Sequence, residues 1–133
     1  MVPEKTEIES TIASAIRKAL NREVGEITLD SSLVTDLAVD SLDLVEIVYD
    51  VEEAYDIQLE PDELFPQRLL RDPDYVQDGA ITSDGVAKIH EQFSFTNLPE
   101  IPAGTSVGDV AAKLLTMRVF TDYVAYVIGK RSE

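Results

Sequence analysis

Between Val24 and Gln67 the chain carries thirteen carboxylates and neither a lysine nor an arginine, which is half of its 26 acids. A stretch so charged gains nothing from local ion pairs. It folds only by turning its apolar residues to one side and its acids to water. From Ser41 to Tyr55 the residues sort in that way. Leu44, Ile47, Val48, Val51, Ala54 and Tyr55 recur at helical spacing and form an expected core stripe. Asp43, Glu46, Asp50 and Glu53 recur at intervals of three and four and form one acidic row, which like-charge repulsion weakens slightly. Leu42, Val45 and Tyr49 lie beside that row, apolar but off the core stripe. Asp40 or Ser41 caps the helix. An acidic row edged with apolar residues fits a basic amphipathic partner surface.

The same reasoning divides the rest of the chain. Thr6 reads as an N-cap for a helix over Thr6–Leu20, with Ile8, Ile12, Ala15, Ile16, Ala19 and Leu20 on one face and Arg17 and Lys18 at the favourable end of its dipole. Asn21 to Val39 reads as a long structured loop, and long ordered loops are often functional. Prolines at 61, 66, 73, 99 and 102 break the middle into short pieces. Pro61 opens a short helix, and Asp78-Gly79 and Asp84-Gly85 are turn signals. Ser83 to Phe93 carries Val86, Ile89 and Phe93 at helical spacing. Ser106 and Asp109 make a capping signature for a last main helix over Ser106–Met117. Val119 to Gly129 has the β-branched content of a strand, but the spacing of Phe120, Val124, Val127 and Ile128 favours a helix.

A length of 133 residues fits one domain. A net charge of −15 keeps such a chain soluble and monomeric and draws basic partners toward it. It opposes nucleic acid and anionic membrane surfaces alike. The absence of cysteine excludes disulfides and fits a reducing cytoplasm. The first residues lack the basic and apolar regions of a signal peptide, and no apolar run is long enough to span a bilayer.

Leu37-Ala38-Val39-Asp40-Ser41-Leu42-Asp43-Leu44-Val45-Glu46-Ile47 resembles the prosthetic-group attachment motif of acyl carrier proteins. The first helix, the long loop with Leu33 and Asp36-Leu37, the Glu52-Glu53-Ala54-Tyr55 ending and the Thr105-Ser106-Val107-Gly108-Asp109-Val110 segment are similar too. The resemblance covers about residues 5–65 and 104–117. It implies an all-α fold, an antiparallel four-helix bundle, forming a single domain over residues 1–133. An additional helical insertion at about 60–104 and a C-terminal extension at about 118–133 depart from the family pattern.

The resemblance further implies that Ser41 receives 4′-phosphopantetheine from coenzyme A. A holo-acyl-carrier synthase or other phosphopantetheinyl transferase would act on it, and the arm would then hold an acyl chain as a thioester. Asp40, Asp43, Glu46, Asp50 and Glu53 would meet basic surfaces of acyl synthases and acyltransferases. Leu42, Val45 and Tyr49 would supply the apolar part of that contact. Val48, Val51, Ala54 and Tyr55 would line the acyl pocket. The long middle segment points away from housekeeping fatty-acid synthesis to a specialised fatty-acid or lipid pathway. The cargo alternatives are a polyketide intermediate or an amino acid.

A different reading is an acidic interaction module, a degenerate carrier that never receives the arm. An enzyme is the weakest reading. Ser41 lacks a G-x-S-x-G setting, and the single histidine, His90, stands in no triad spacing. No calcium-loop pattern is present, so no catalytic residue and no metal site are expected.

Overall fold

The computed structural model describes residues 3–21 and 23–131. Its elements in chain order are α1 (Lys5–Leu20), α2 (Ser41–Tyr55), α3 (Pro61–Leu64), α4 (Gln67–Arg71), β1 (Val76–Gln77), β2 (Ala80–Ile81), α5 (Ser83–Gln92), α6 (Val107–Leu114) and α7 (Met117–Arg131). The fold is all-α apart from one two-stranded hairpin, with more helices than the four of a simple bundle. α1 packs against both α2 and α7. Ile8, Ile12 and Ile16 of α1, Ile47 and Val51 of α2, and Phe120, Tyr123 and Val124 of α7 are all buried in one core.

Several local expectations change. Glu4, not Thr6, is the N-cap of α1, and no side chain closes that cap. The expected helix over Ser106–Met117 is two helices. The chain breaks at Leu115 and Thr116 to clamp the loop between α1 and α2. The Leu33 N–H donates to the Leu115 carbonyl (2.9 Å), Met117 N–H to Ser31 (3.0 Å) and Arg118 N–H to Leu29 (2.9 Å). Asp36 accepts from the Ser32 N–H at 2.7 Å and tightens the same loop. Thr116 then caps α7 through the Val119 N–H. Val119 to Gly129 is helical, as its spacing predicts.

The two Asp-Gly signals part company. Asp78-Gly79, both at positive φ, closes the β1–β2 hairpin, as a two-residue turn of mirror-image type requires. Asp84-Gly85 is no turn; it lies in the first turn of α5, capped by Thr82. A Cβ at Gly85 would stand 2.5 Å from the Tyr75 carbonyl oxygen and 2.7 Å from Ile81. Glycine is there because the hairpin crosses the helix at backbone distance.

α7 also braces α3. The buried Tyr123 hydroxyl accepts from the Glu60 N–H (3.0 Å) and donates to the Glu63 carboxylate (3.2 Å). Burial first, and the charge of Glu63 after it, hold this phenol well above its ordinary pKa. Because α3 forms one wall beside Ser41, the C-terminal helix fixes the site at second hand.

Candidate functional site

Ser41 is the first residue of α2 and is exposed. Asp40, in extended backbone, is the N-cap, and a complete capping box surrounds the serine. The Asp43 N–H donates to Asp40 Oδ1 at 2.8 Å, and the Asp40 N–H donates to Asp43 Oδ2 at 3.2 Å. The Leu44 N–H takes the Asp40 carbonyl. The N–H groups of Ser41 and Leu42 are therefore left to head the helix, at its positive end. The two acids beside Ser41 fix the backbone that presents it.

A cleft of about 360 Å³ adjoins the serine. Ser41 and Asp40 line it, and Val34, Val39, Leu44, Val48, Phe65 and Leu115 make it largely apolar. These residues come from the long loop, α2, the end of α3 and the break between α6 and α7. Of the four residues expected to line an acyl pocket, Val48 lines this cleft. Val51 is buried in the core, Ala54 is exposed beyond the last buried turn of α2, and Tyr55 turns toward α1, its hydroxyl 3.0 Å from Thr11 Oγ1. Burial, before all else, raises the Tyr55 pKa. Sequence reasoning missed Val34, Val39, Phe65 and Leu115. No local periodicity marks them, because Val34, Val39 and Leu115 converge only through the loop clamp and Phe65 arrives from the end of α3.

The outer face of α2 is uncovered. Leu42, Val45 and Tyr49 are 80%, 66% and 58% exposed. Glu46 and Glu53 beside them are exposed as well. Glu53 raises the Tyr49 pKa by hydrogen bonding and by its charge. The acidic row is not uniform. Asp50 is half-buried and pairs with Lys18 of α1 at 3.5 Å, and Asp43 belongs to the capping box. Glu46 and Glu53 are the acids of the row that lie outside the cap and the ion pair, both exposed. Ala38, just before the site, holds a left-handed φ of 52° without being glycine.

Residues 10–71 match the family model described as a phosphopantetheine attachment site. The acyl carrier protein of Exiguobacterium sibiricum is 41% identical over 59 residues, covering 44% of this chain and 75% of that protein. The chain belongs to the acyl carrier protein family. The acyl carrier proteins of Prochlorococcus marinus (46% over 57 residues, 43% of this chain and 70% of that protein) and of Borrelia garinii subsp. bavariensis (44% over 57 residues, 43% and 71%) are similar to it too. No solved structure matches it.

Family membership makes the protein a carrier of acyl groups rather than a catalyst, with covalently attached 4′-phosphopantetheine as its cofactor. Its partners, as classes, are a phosphopantetheinyl transferase and the enzymes that handle acyl groups. The family match runs past residue 60 and takes in α3 and α4. Among the described residues, no helix is long and apolar enough to cross a membrane, and no cluster of acids and histidine has the makings of a metal site.

Proposed function

We propose that Ser41 bears the 4′-phosphopantetheine arm and that the cleft beside it shelters the acyl chain. The observation that carries this reading is one of place: an exposed serine at a helix N-terminus lines an apolar cleft. The groups present fit the arm. The N–H groups of Ser41 and Leu42 suit a phosphodiester, the capping box holds the serine hydroxyl clear of the core, and the apolar walls exclude water from a thioester.

On this reading Asp40 and Asp43 position Ser41. Glu46 and Glu53, with Leu42, Val45 and Tyr49, meet a basic, partly apolar surface on each partner, a synthase, acyltransferase or holo-synthase. Charge steering of this kind raises the encounter rate while adding modest affinity, which suits a carrier that must leave again. We read the chain as one carrier domain in which the segment from about residue 72 to Gly104 is an addition to the family pattern. α7 completes the packing on α1. That addition supports a dedicated carrier in a specialised fatty-acid or lipid pathway. The absence of cysteine supports a cytoplasmic location.

Loading with octanoyl-coenzyme A and a broad-specificity phosphopantetheinyl transferase tests both halves of the reading. Peptide mass mapping is expected to place the arm on Ser41. Hydroxylamine is expected to cleave the octanoyl thioester several-fold faster in Val48→Trp, which fills the cleft, than in the native chain. Arm attachment at another residue, or equal cleavage rates, would overturn the corresponding half.

A further inference from the structure

The chain has few cations, and nearly all of the described ones are engaged. Among the described residues five make ion pairs, Arg17 and Lys113 reach backbone carbonyls, and Lys130 stands over the Tyr126 ring. Arg68 and Arg71 are the exceptions: neither guanidinium has an ion-pair or hydrogen-bond partner among the described residues, and both side chains are exposed. They stand three residues apart on α4, so they share a face. Together they line a depression of about 470 Å³. Its remaining wall includes Leu44, Pro61, Phe65 and Gln67, and the same four residues line the cleft beside Ser41. The two hollows are therefore neighbours with common walls, the apolar one at the serine and the cationic one beyond it.

We infer that this depression is a second compartment of the cargo site and that Arg68 and Arg71 receive a carboxylate at the far end of the acyl chain. Glu60 and Asp62 line the same depression, and Asp62 accepts the Arg68 backbone N–H at 3.5 Å. With two arginines against two acids, the lining is formally neutral in a chain of net charge −15. A carboxylate pushed into the apolar cleft alone would lose its water without compensation. At the arginines it gains charge-assisted hydrogen bonds, for which the guanidinium fork is well shaped. The phosphate of the arm is the competing anion, but Ser41, where it would be fixed, does not line this depression. The compartment selects a half-thioester of a dicarboxylic acid over a plain fatty acyl chain.

The inference rests on Ser41 as the attachment point, and the test separates the two. The full chain is loaded from coenzyme A, from octanoyl-coenzyme A and from the coenzyme A half-thioester of the eight-carbon dicarboxylic acid, with intact mass confirming each product. Two readouts follow: the side-chain Nε–H resonances of Arg68 and Arg71, and the rate of thioester cleavage by hydroxylamine. The carboxylate-ended chain is expected to shift both resonances, and its cleavage is expected to be about threefold faster in Arg68→Gln/Arg71→Gln than in the native chain, the size of effect of one exposed ion pair. Octanoyl is expected to behave alike in the two proteins. Both substituted side chains are exposed, so the double variant is expected to fold, and a thermal melt checks it. Equal behaviour of the two cargoes in native and variant chains would overturn the inference and leave the attachment reading intact. Resonance shifts produced in full by the bare arm would assign the arginines to its phosphate and also overturn it. Failure to load from any donor would sink both readings.

Discussion

α2 and α7 are each 15 residues long and both pack on α1, yet they spend their apolar residues differently. α7 buries Met117, Val119, Phe120, Thr121, Tyr123, Val124 and Ile128, and its one large exposed apolar side chain, Tyr126, stacks on Phe95. α2 buries only Ile47, Val48 and Val51 and leaves Leu42, Val45 and Tyr49 in water. An exposed apolar edge on a helix able to bury more is a surface kept for something else. The lesson is a division of labour. α7 supplies stability and braces α3 through Tyr123, and α2 holds the exposed Ser41 and an uncovered apolar edge, the face we propose partners read.

The largest effect that bears on this division is a core deletion. Phe120→Ala is expected to destabilise the chain by about 3–5 kcal/mol, and Leu42→Ala by less than about 0.5 kcal/mol, both measured by denaturant unfolding. Similar losses from the two would break the contrast.

Tyr123 gives the next largest effect and a pH signature. Its folded-state pKa is raised above that of the unfolded chain, where a tyrosine titrates near about 10. The stabilising contribution is therefore complete below that pH. It is lost as pH climbs toward the folded value, because the unfolded chain then binds fewer protons. Tyr123→Phe is expected to cost about 1–3 kcal/mol at neutral pH by orphaning the Glu60 N–H, and to flatten the decline of melting temperature above pH 10. An unchanged alkaline decline would remove Tyr123 as its source.

The acids of α2 sharpen the comparison further. Asp43→Lys is expected to cost about 1 kcal/mol because it opens the capping box, whereas Glu46→Lys is expected to leave stability within about 0.5 kcal/mol. Both are expected to slow arm transfer at low salt, with the gap closing as salt is added. Stopped-flow transfer kinetics beside thermal melts separate the two roles. A last effect is local: Ala38→Gly relieves a left-handed backbone and is expected to stabilise the chain by about 0.5 kcal/mol in thermal melts.

What was legible in the sequence follows the same division. α2 was readable because its period, its cap and its charge pattern coincide on consecutive residues. α7 was readable only by weighing the spacing of Phe120, Val124 and Ile128 against its β-branched content. The cleft beside Ser41 was not readable. Val34, Val39 and Leu115 meet there through the hydrogen bonds of Leu33 and Met117, Phe65 joins them from the end of α3, and no local pattern encodes that meeting. Ala54 and Tyr55 entered the expected pocket through the family resemblance, as members of the same core stripe as Val48 and Val51, but the cleft lies at the serine end of α2. Asp84-Gly85 looked like a turn because its glycine serves a close approach that only the folded hairpin reveals.

On the function proposed above, the exposed serine at the head of α2 is where this carrier holds its arm. Intact mass spectrometry of the native chain and of Ser41→Ala, each incubated with coenzyme A and a broad-specificity phosphopantetheinyl transferase, tests it most directly. The expected result is the mass of one phosphopantetheine added to the native chain and none to Ser41→Ala. One added to both proteins, or to neither while both remain folded, would contradict it.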